Sequence, residues 1–421
     1  MAIDFSLSET QREIQASAAD FAARFLAPLA AKIDQIPDAW ESFLATREAY
    51  REMAHAGFTR AFIPEAYGGL GFSMVDFAIA SEELARVELN VPTTLLGTGL
   101  GLQPIIQLGT HEQKERFLSD FAADEEGDLL ASFAFTDVAG GANYDTNLAP
   151  AGIQTIARRE GDQWVINGQK HYTTNGTGWD KKGAHLYTVV CRTDKNKGAD
   201  ESLAVIVVPG NTPGIEVVSV YDKIGHRGVA TPAVNFTDVC VPIDNMIGQA
   251  GDGKAITSRA FSWTGGLIGA ACVGVMRAAF EHALEFARTE KRLGAVPVIE
   301  YQNVGFMLTD IKMNIEAARY LTWKACHDLD ASGGSSEETA IMAKIYCSEL
   351  AVKTVYDAMQ VVGVESYIKD APFDRLMRDA MVFPLYDGGN RGIRRRQIHE
   401  MMKSPDYDSM RAAHGRYGSG K

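Results

Sequence analysis

Between residues 129 and 239 the chain changes its hydrophobic period, and that change limits the folds open to it more than any other feature. Six short runs rich in β-branched and aromatic residues follow one another with Gly, Pro, Asn and Asp between them: LLASFAF (129–135), QWVING (163–168), HLYTVVCRT (185–193), LAVIVVP (203–209), GIEVVSV (214–220) and AVNFTDV (233–239). No helical pattern separates them, so they predict an antiparallel sheet and not a series of βαβ units. On either side the period is helical. Upstream, Ser8 with Gln11 makes a capping-box start, and Ile14, Phe21, Phe25 and Leu29 recur at helical spacing. DFAIASEELARVE and HEQKERFLSDFAA extend that pattern. Downstream, Val304, Met307, Leu308, Ile311, Ile315 and Leu321 mark one apolar stripe, ASGGSS (331–336) makes a turn, and ETAIMAKIYCSELAVKTVYDAMQ a second long helix. The expected class is α+β, with an N-terminal α-helical domain over 1–127, a middle β-sheet domain over 128–245, and a C-terminal four-helix bundle over 246–421. Such bundles commonly pair with copies of themselves.

The 421 residues suffice for two or three domains. A formal charge of −13 argues against nucleic acid as a main partner, because phosphate binding needs a basic face. Cys191, Cys240, Cys272, Cys326 and Cys347 are scattered with no CxxC pair, which reads as reduced core thiols. The nine histidines lack ligand spacing, so no metal is expected. The polar, acidic start MAIDFSLSETQRE resembles no targeting peptide, and no uninterrupted apolar run approaches a membrane span. A soluble, cytoplasmic protein is expected, with GSGK read as a trimmed end.

One stretch concentrates chemistry. FPLYDGGNRGIRRRQ (383–397) holds a lone carboxylate, Asp387, before two glycines, with four arginines close behind. It reads either as a solvated loop with Asp387 capping a basic helix, or as a proton-abstracting base in a cavity. Burial alone would favour the neutral acid, which is no base. Arg394 lies two turns on if a helix begins at the glycines, and is the best candidate to keep Asp387 charged. Arg395 and Arg396 point to other faces and read as surface or subunit contacts.

IPEAYGGLGF, TDVAGGANYD, INGQKHYTTNG, KIGHRGVATPAVNFTDVCVPIDNMIG and FDRLMRDAMVFPLYDGGN, in that order, resemble the acyl-CoA dehydrogenase superfamily over nearly the whole chain. Within it, LASFAFTDVAGGAN, TGWDKKGAHL, AMQVVGVESYIKD and FPLYDGGNRGIRRRQ are most similar to the nitroalkane oxidases. The resemblance implies FAD and a homotetramer. It places Phe135 and Thr136 at the pyrimidine edge of the flavin, Thr173 and Thr174 on its N5 side, and Tyr172 as a flat surface beside the ring. Taken singly, each is equally an ordinary strand residue. Ala142 and Asn143 fall on the pyrophosphate-facing loop, where backbone N–H groups can hold phosphate. Arg292, Gln302, Gln360 and Gly363 match positions through which neighbouring subunits grip the diphosphate and adenine, and Gly388 and Gly389 complete the cofactor set. Val364 and Gly389 depart from the family's Gly and Thr, which alters the adenine contacts.

For catalysis the resemblance implies Asp387 as the base, supported by Arg394 and Thr264. Thr264 would hydrogen-bond the carboxylate, or else bond back to its own helical turn. Thioester dehydrogenases usually carry Arg where Gly265 stands; with Gly266 beside it, the site reads as built for a small substrate. The implied activity is a nitroalkane oxidase. Asp387 takes the α-proton of a small nitroalkane, the carbanion adds to flavin N5, and nitrite, an aldehyde or ketone and, with molecular oxygen, hydrogen peroxide result. The alternative is an acyl-CoA dehydrogenase that makes an α,β double bond in a thioester and passes electrons to a carrier flavoprotein. A family member that only binds flavin is a third, non-enzymatic reading.

Overall fold

The capping box at Ser8 is formed: Ser8 Oγ accepts from the Gln11 N–H at 3.1 Å and Gln11 Oε1 from the Ser8 N–H at 3.0 Å, starting α1 (Glu9–Phe21). The structure is a computed structural model that describes residues 5–415, so the GSGK end lies outside the described residues. A π-helical turn, Ala22–Leu26, joins α1 to α2 (Ala27–Gln35). Its extra residue rotates the apolar stripe, so Leu26 is fully buried and Phe25 only half-buried. Next come α3 (Ala39–Leu44), α4 (Arg47–His55), α5 (Met74–Val87), α6 (Asn90–Leu108) and α7 (His111–Ala123). A second capping box, Thr110 with Gln113, opens α7.

The sheet comprises β1 (Ala131–Ala134), β2 (Ile156–Glu160), β3 (Gln163–Lys170), β4 (Leu186–Arg192), β5 (Leu203–Pro209), β6 (Ile215–Val220), β7 (Pro232–Pro242) and β8 (Met246–Ile247). One helical turn, α8 (Ala199–Ser202), lies between β4 and β5. The order is β6-β7-β3-β2-β4-β5-β8, with β1 on β4. The expectation of an antiparallel sheet needs correction, because β1 runs parallel to β4 and β2 meets it in parallel at Ile156–Arg192. The β2–β3 hairpin lies between β1 and β4 in the chain, so no tight turn forces those two strands to reverse. β2, IARRE, shows no apolar run because Arg158, Arg159 and Glu160 face solvent.

The last third holds α9 (Gly253–Thr289), α10 (Gln302–Ser332), α11 (Glu338–Val362), α12 (Phe373–Val382), α13 (Arg395–Met402) and α14 (Arg411–His414). Gly333, left-handed at φ 59°, closes α10. α9 packs against α5, α6, α10, α11 and α12. By length and composition it could cross a membrane, contrary to the sequence reading, yet 67% of its most apolar window is buried inside the protein, as befits a core helix. Glycines set the approach of helices to the site. A Cβ on Gly97 of α6 would lie 2.7 Å from Thr174 Cγ2, and one on Gly101 2.6 Å from the Ser132 nitrogen. α6 therefore lies directly on β1 and on the segment that follows β3.

Candidate active site

Asp387 sits on a turn that few sequences could make. Its φ is 53°, followed by Gly388 at 86° and Gly389 at 60°, so three successive residues are left-handed. Glycine takes this conformation freely, whereas Asp387 carries a penalty of roughly 1–2 kcal/mol. The turn leads into a π-helical segment, Gly389–Arg394, and not into the regular helix expected there. Because Gly388 lacks a side chain, the Arg394 guanidinium can close over the turn; a Cβ there would stand 3.3 Å from Nε.

The side chain of Asp387 is only 3% exposed. Arg394, fully buried, donates from Nη2 to Asp387 Oδ2 at 2.6 Å and from Nε to the Asp387 carbonyl at 2.9 Å. Thr264 Oγ1 lies 2.5 Å from Asp387 Oδ1 and 3.1 Å from the Phe261 carbonyl. A hydroxyl has one proton, and two oxygens as close as 2.5 Å attract only with that proton between them. An ionised Asp387, paired with Arg394, can only accept, so the Thr264 proton then points at the carboxylate and the back-bond to its own turn is secondary. The capping alternative for Asp387 fails: no backbone N–H donates to its carboxylate among the described residues.

Arg394 is held in turn. Its Nη2 also donates to the Phe261 carbonyl at 2.7 Å, and Nη1 to Gln397 Oε1 at 3.3 Å. Gln397 Nε2 donates to Ser258 Oγ at 3.1 Å, and Ser258 to Glu337 Oε2 at 2.5 Å. Burial raises Glu337 above the usual carboxylate range, against the pull of Ser258, Arg394 and Arg259. Arg395 and Arg396 do face elsewhere, but both pair within the chain. Arg395 grips Glu349 with both nitrogens, and Arg396 reaches Asp145 at 2.7 Å and the Ala142 carbonyl at 2.7 Å.

The segments expected to face a flavin meet near this turn. Phe135 is buried edge-on against Phe261, centroids 5.0 Å apart, and Phe261 lies on α9 three residues before Thr264. The Thr136 carbonyl accepts the His171 N–H at 2.7 Å, while buried Lys170 donates to the Phe135 carbonyl at 2.8 Å and to Asp137 at 2.7 Å. These bonds lock the Phe135–Thr136 segment to the Tyr172–Thr174 segment. Tyr172 is left-handed, 63% exposed, and tilted against Tyr221 at 5.0 Å. The Thr174 carbonyl accepts from Ser132. Thr173 Oγ1 is buried and has no hydrogen-bond partner among the described residues. An orphaned hydroxyl usually awaits a partner, and its place beside an exposed aromatic fits a polar, flat ring such as a flavin. Ala142 and Asn143 are exposed on the loop that Arg396 ties to α13.

Arg292, Gln302, Gln360 and Gly363 are not part of this cluster. All four are exposed, and a Cβ on Gly363 would meet nothing within 4 Å. Arg292 pairs with Glu365 through both nitrogens and lies 4.6 Å from the Phe286 ring centre, so it is anchored rather than freely solvated. Gly265 and Gly266 also differ from expectation. A Cβ on Gly265 would meet the Ala340 carbonyl at 3.2 Å, and one on Gly266 the Cys326 sulfur at 3.0 Å. They allow α9 to pack on α11 and α10 and do not widen a substrate cleft.

Sequence reasoning missed Lys344 and Asn390, both fully or nearly buried and bonded to each other at 2.7 Å beside the turn. The signal was present: in AIMAKIYCSEL a lysine occupies the apolar stripe of its helix, where unpaired charge is rare.

Residues 8–125, 132–239 and 251–403 match the N-terminal, middle and C-terminal domains of acyl-CoA dehydrogenase. Nitroalkane oxidase from Podospora anserina is 39% identical over 432 residues, spanning 99% of this chain and 100% of that protein. Nitroalkane oxidase from Fusarium oxysporum is 37% identical over 431 residues, 98% of each. Among solved structures, a nitroalkane oxidase active-site Asp-to-Asn mutant crystallised with 1-nitrooctane matches with TM-score 0.93 at 36% identity, covering 98% of this chain and 100% of that one.

Proposed function

The chain belongs to the acyl-CoA dehydrogenase family of flavoprotein oxidoreductases, and from that premise we propose that it is an FAD-dependent nitroalkane oxidase acting on small nitroalkanes. The observation that carries the reading is the buried, doubly held carboxylate of Asp387. Thr264 occupies one oxygen and Arg394 the other, yet each carboxylate oxygen offers two lone-pair directions. One direction on each oxygen remains to accept a proton.

A carbon beside a nitro group is acidic enough for a carboxylate to deprotonate once the carboxylate is kept charged in a water-poor site. The C–H electron pair then moves onto the nitro group, and the proton goes to an Asp387 oxygen. Arg394 and Thr264 hold the base ionised and oriented, as positioning residues. Bound FAD supplies the two-electron acceptor; Thr173 and Thr174, with Thr136 and Tyr172, would hold its ring, and the Ala142–Asn143 loop its phosphates. The overall balance is nitroalkane, oxygen and water to aldehyde (or ketone), nitrous acid and hydrogen peroxide. We further propose a homotetramer, in which exposed Arg292, Gln302, Gln360 and Gly363 meet the cofactor of another copy.

The test is direct. Purified holoenzyme given nitroethane should consume oxygen and release nitrite in equal amounts, and should leave butyryl-CoA unoxidised. Flavin reduction by butyryl-CoA without nitroethane turnover would instead select the thioester reading.

A further inference from the structure

The turn that carries Asp387 is tied to the helical bundle by a lysine that the mechanism above does not use. Lys344 is fully buried on α11, in line with Ala340, Ile341, Cys347 and Ala351. Its stem passes Gly265 of α9, where an added Cβ would stand 3.6 Å from Lys344 Cβ. Its ammonium donates to Asn390 Oδ1 at 2.7 Å and lies 5.9 Å from the ring centre of Tyr386, the residue before Asp387. Asn390 is itself gripped, donating from Nδ2 to Ser348 Oγ at 2.9 Å and Glu349 Oε1 at 3.2 Å. The strained turn is thus pinned to α11 at Asn390, three residues past Asp387.

An ammonium in an apolar interior is costly unless something charged repays it. Burial draws Lys344 down to about 8, and Asp387 is the strongest charge favouring its protonated form. The other titratable groups around it are Arg394 beyond the turn, Tyr386 on the turn itself, Cys272 on α9 and Glu349 on its own helix. Attraction is mutual, so the ammonium favours the charged carboxylate as well.

We propose that Lys344 is a positioning residue for the proton-abstracting carboxylate: through Asn390 it fixes the turn, and its charge adds to that of Arg394 in keeping Asp387 ionised. This rests on the proton-abstraction reading above. The experiment compares wild-type, K344M and K344R holoenzymes on neutral nitroethane and on preformed ethane nitronate, which needs no base. For K344M, flavin content and nitronate oxidation stay within about twofold of wild type. Its kcat/KM for nitroethane near pH 6 falls about tenfold, and the acid limb of that profile moves to higher pH by about half a unit to one unit. K344R restores most of both. An unmoved acid limb, or equal losses on both substrates, overturns the proposal. Should K344M not accumulate as holoenzyme, K344Q, which can still bond Asn390 without charge, is read by the same criteria. A wild type without nitroethane turnover would mark failure of the nitroalkane reading instead, and the same pH comparison would then be made on butyryl-CoA.

Discussion

Thr264→Val removes one hydroxyl, keeps the side-chain shape, and interrogates the shortest contact to the candidate base. Thr264 Oγ1 donates to Asp387 Oδ1 at 2.5 Å within a pair whose carboxylate side chain is 3% exposed. A hydrogen bond to a charged, buried group is worth about 1.5–3 kcal/mol net. If all of that favours the ionised acid, the acid limb of kcat/KM for nitroethane rises by about one to two pH units. The loss should then reach about 10- to 100-fold below the limb and shrink toward a few-fold near pH 9, where the carboxylate is charged in either protein. Oxygen uptake by wild type and T264V, from pH 5 to 9, on nitroethane and on ethane nitronate, gives the whole profile. Valine also leaves the Phe261 carbonyl its bond from Arg394 at 2.7 Å, so the helix keeps its local support. A uniform loss at every pH would show that Thr264 only orients the acid. Activity within twofold of wild type throughout would show that the hydroxyl proton serves Phe261 and that the reading of the 2.5 Å contact is mistaken.

Asp387→Asn should lower nitroethane kcat/KM by about 10²–10⁴, the usual worth of a general base, while nitronate oxidation persists; parallel loss on both substrates would refute the assignment. Thr173→Val removes a hydroxyl with no partner among the described residues, so FAD should bind up to about tenfold more weakly while the apoprotein Tm is unchanged. Equal FAD affinity by fluorescence titration would count against the ring contact. His226 is buried and drawn from 6.5 to about 3, mainly by desolvation. Its folded form is neutral, so its contribution is present above pH 6.5 and is lost as pH falls toward 3, by about 2 kcal/mol between pH 6.5 and 5. Asp379, raised to about 6 by burial, works in the opposite sense below that pH. Urea unfolding of wild type against H226Q isolates the histidine, and identical pH slopes would rule its burial out as the cause.

What the sequence revealed followed from local rules. The capping box at Ser8, the turn at ASGGSS and the apolar stripe through Leu308, Ile311 and Ile315 all form as the sequence predicts, the turn with Gly333 left-handed. Asp387 and Arg394 could be paired because seven residues is a short reach, although the route is a π-turn and not a regular helix. The parallel β1–β4 pairing could not be read, since it joins segments separated by a hairpin and depends on tertiary order. β2 escaped because its exposed arginines hide the period. The packing role of Gly265 and Gly266 was equally invisible: a glycine that opens a cleft and one that admits a neighbouring helix look the same in a string. Lys344 was legible as a charge out of place, but its partner, Asn390, lies 46 residues on and is found only by folding the chain.

Arg396 has a wider reach than its position suggests. With one end on the loop at Ala142 and Asp145 and its root one residue past the Arg394–Arg395 step, it makes a crossbeam between the place assigned to the cofactor's phosphates and the segment that braces the acid. Any effect of phosphate binding on the grip at Asp387 through this link would be reciprocal, the two ends sharing one coupling free energy. R396M removes both contacts at once, and a joint change in FAD affinity by fluorescence titration and in nitroethane kcat/KM would reveal that coupling.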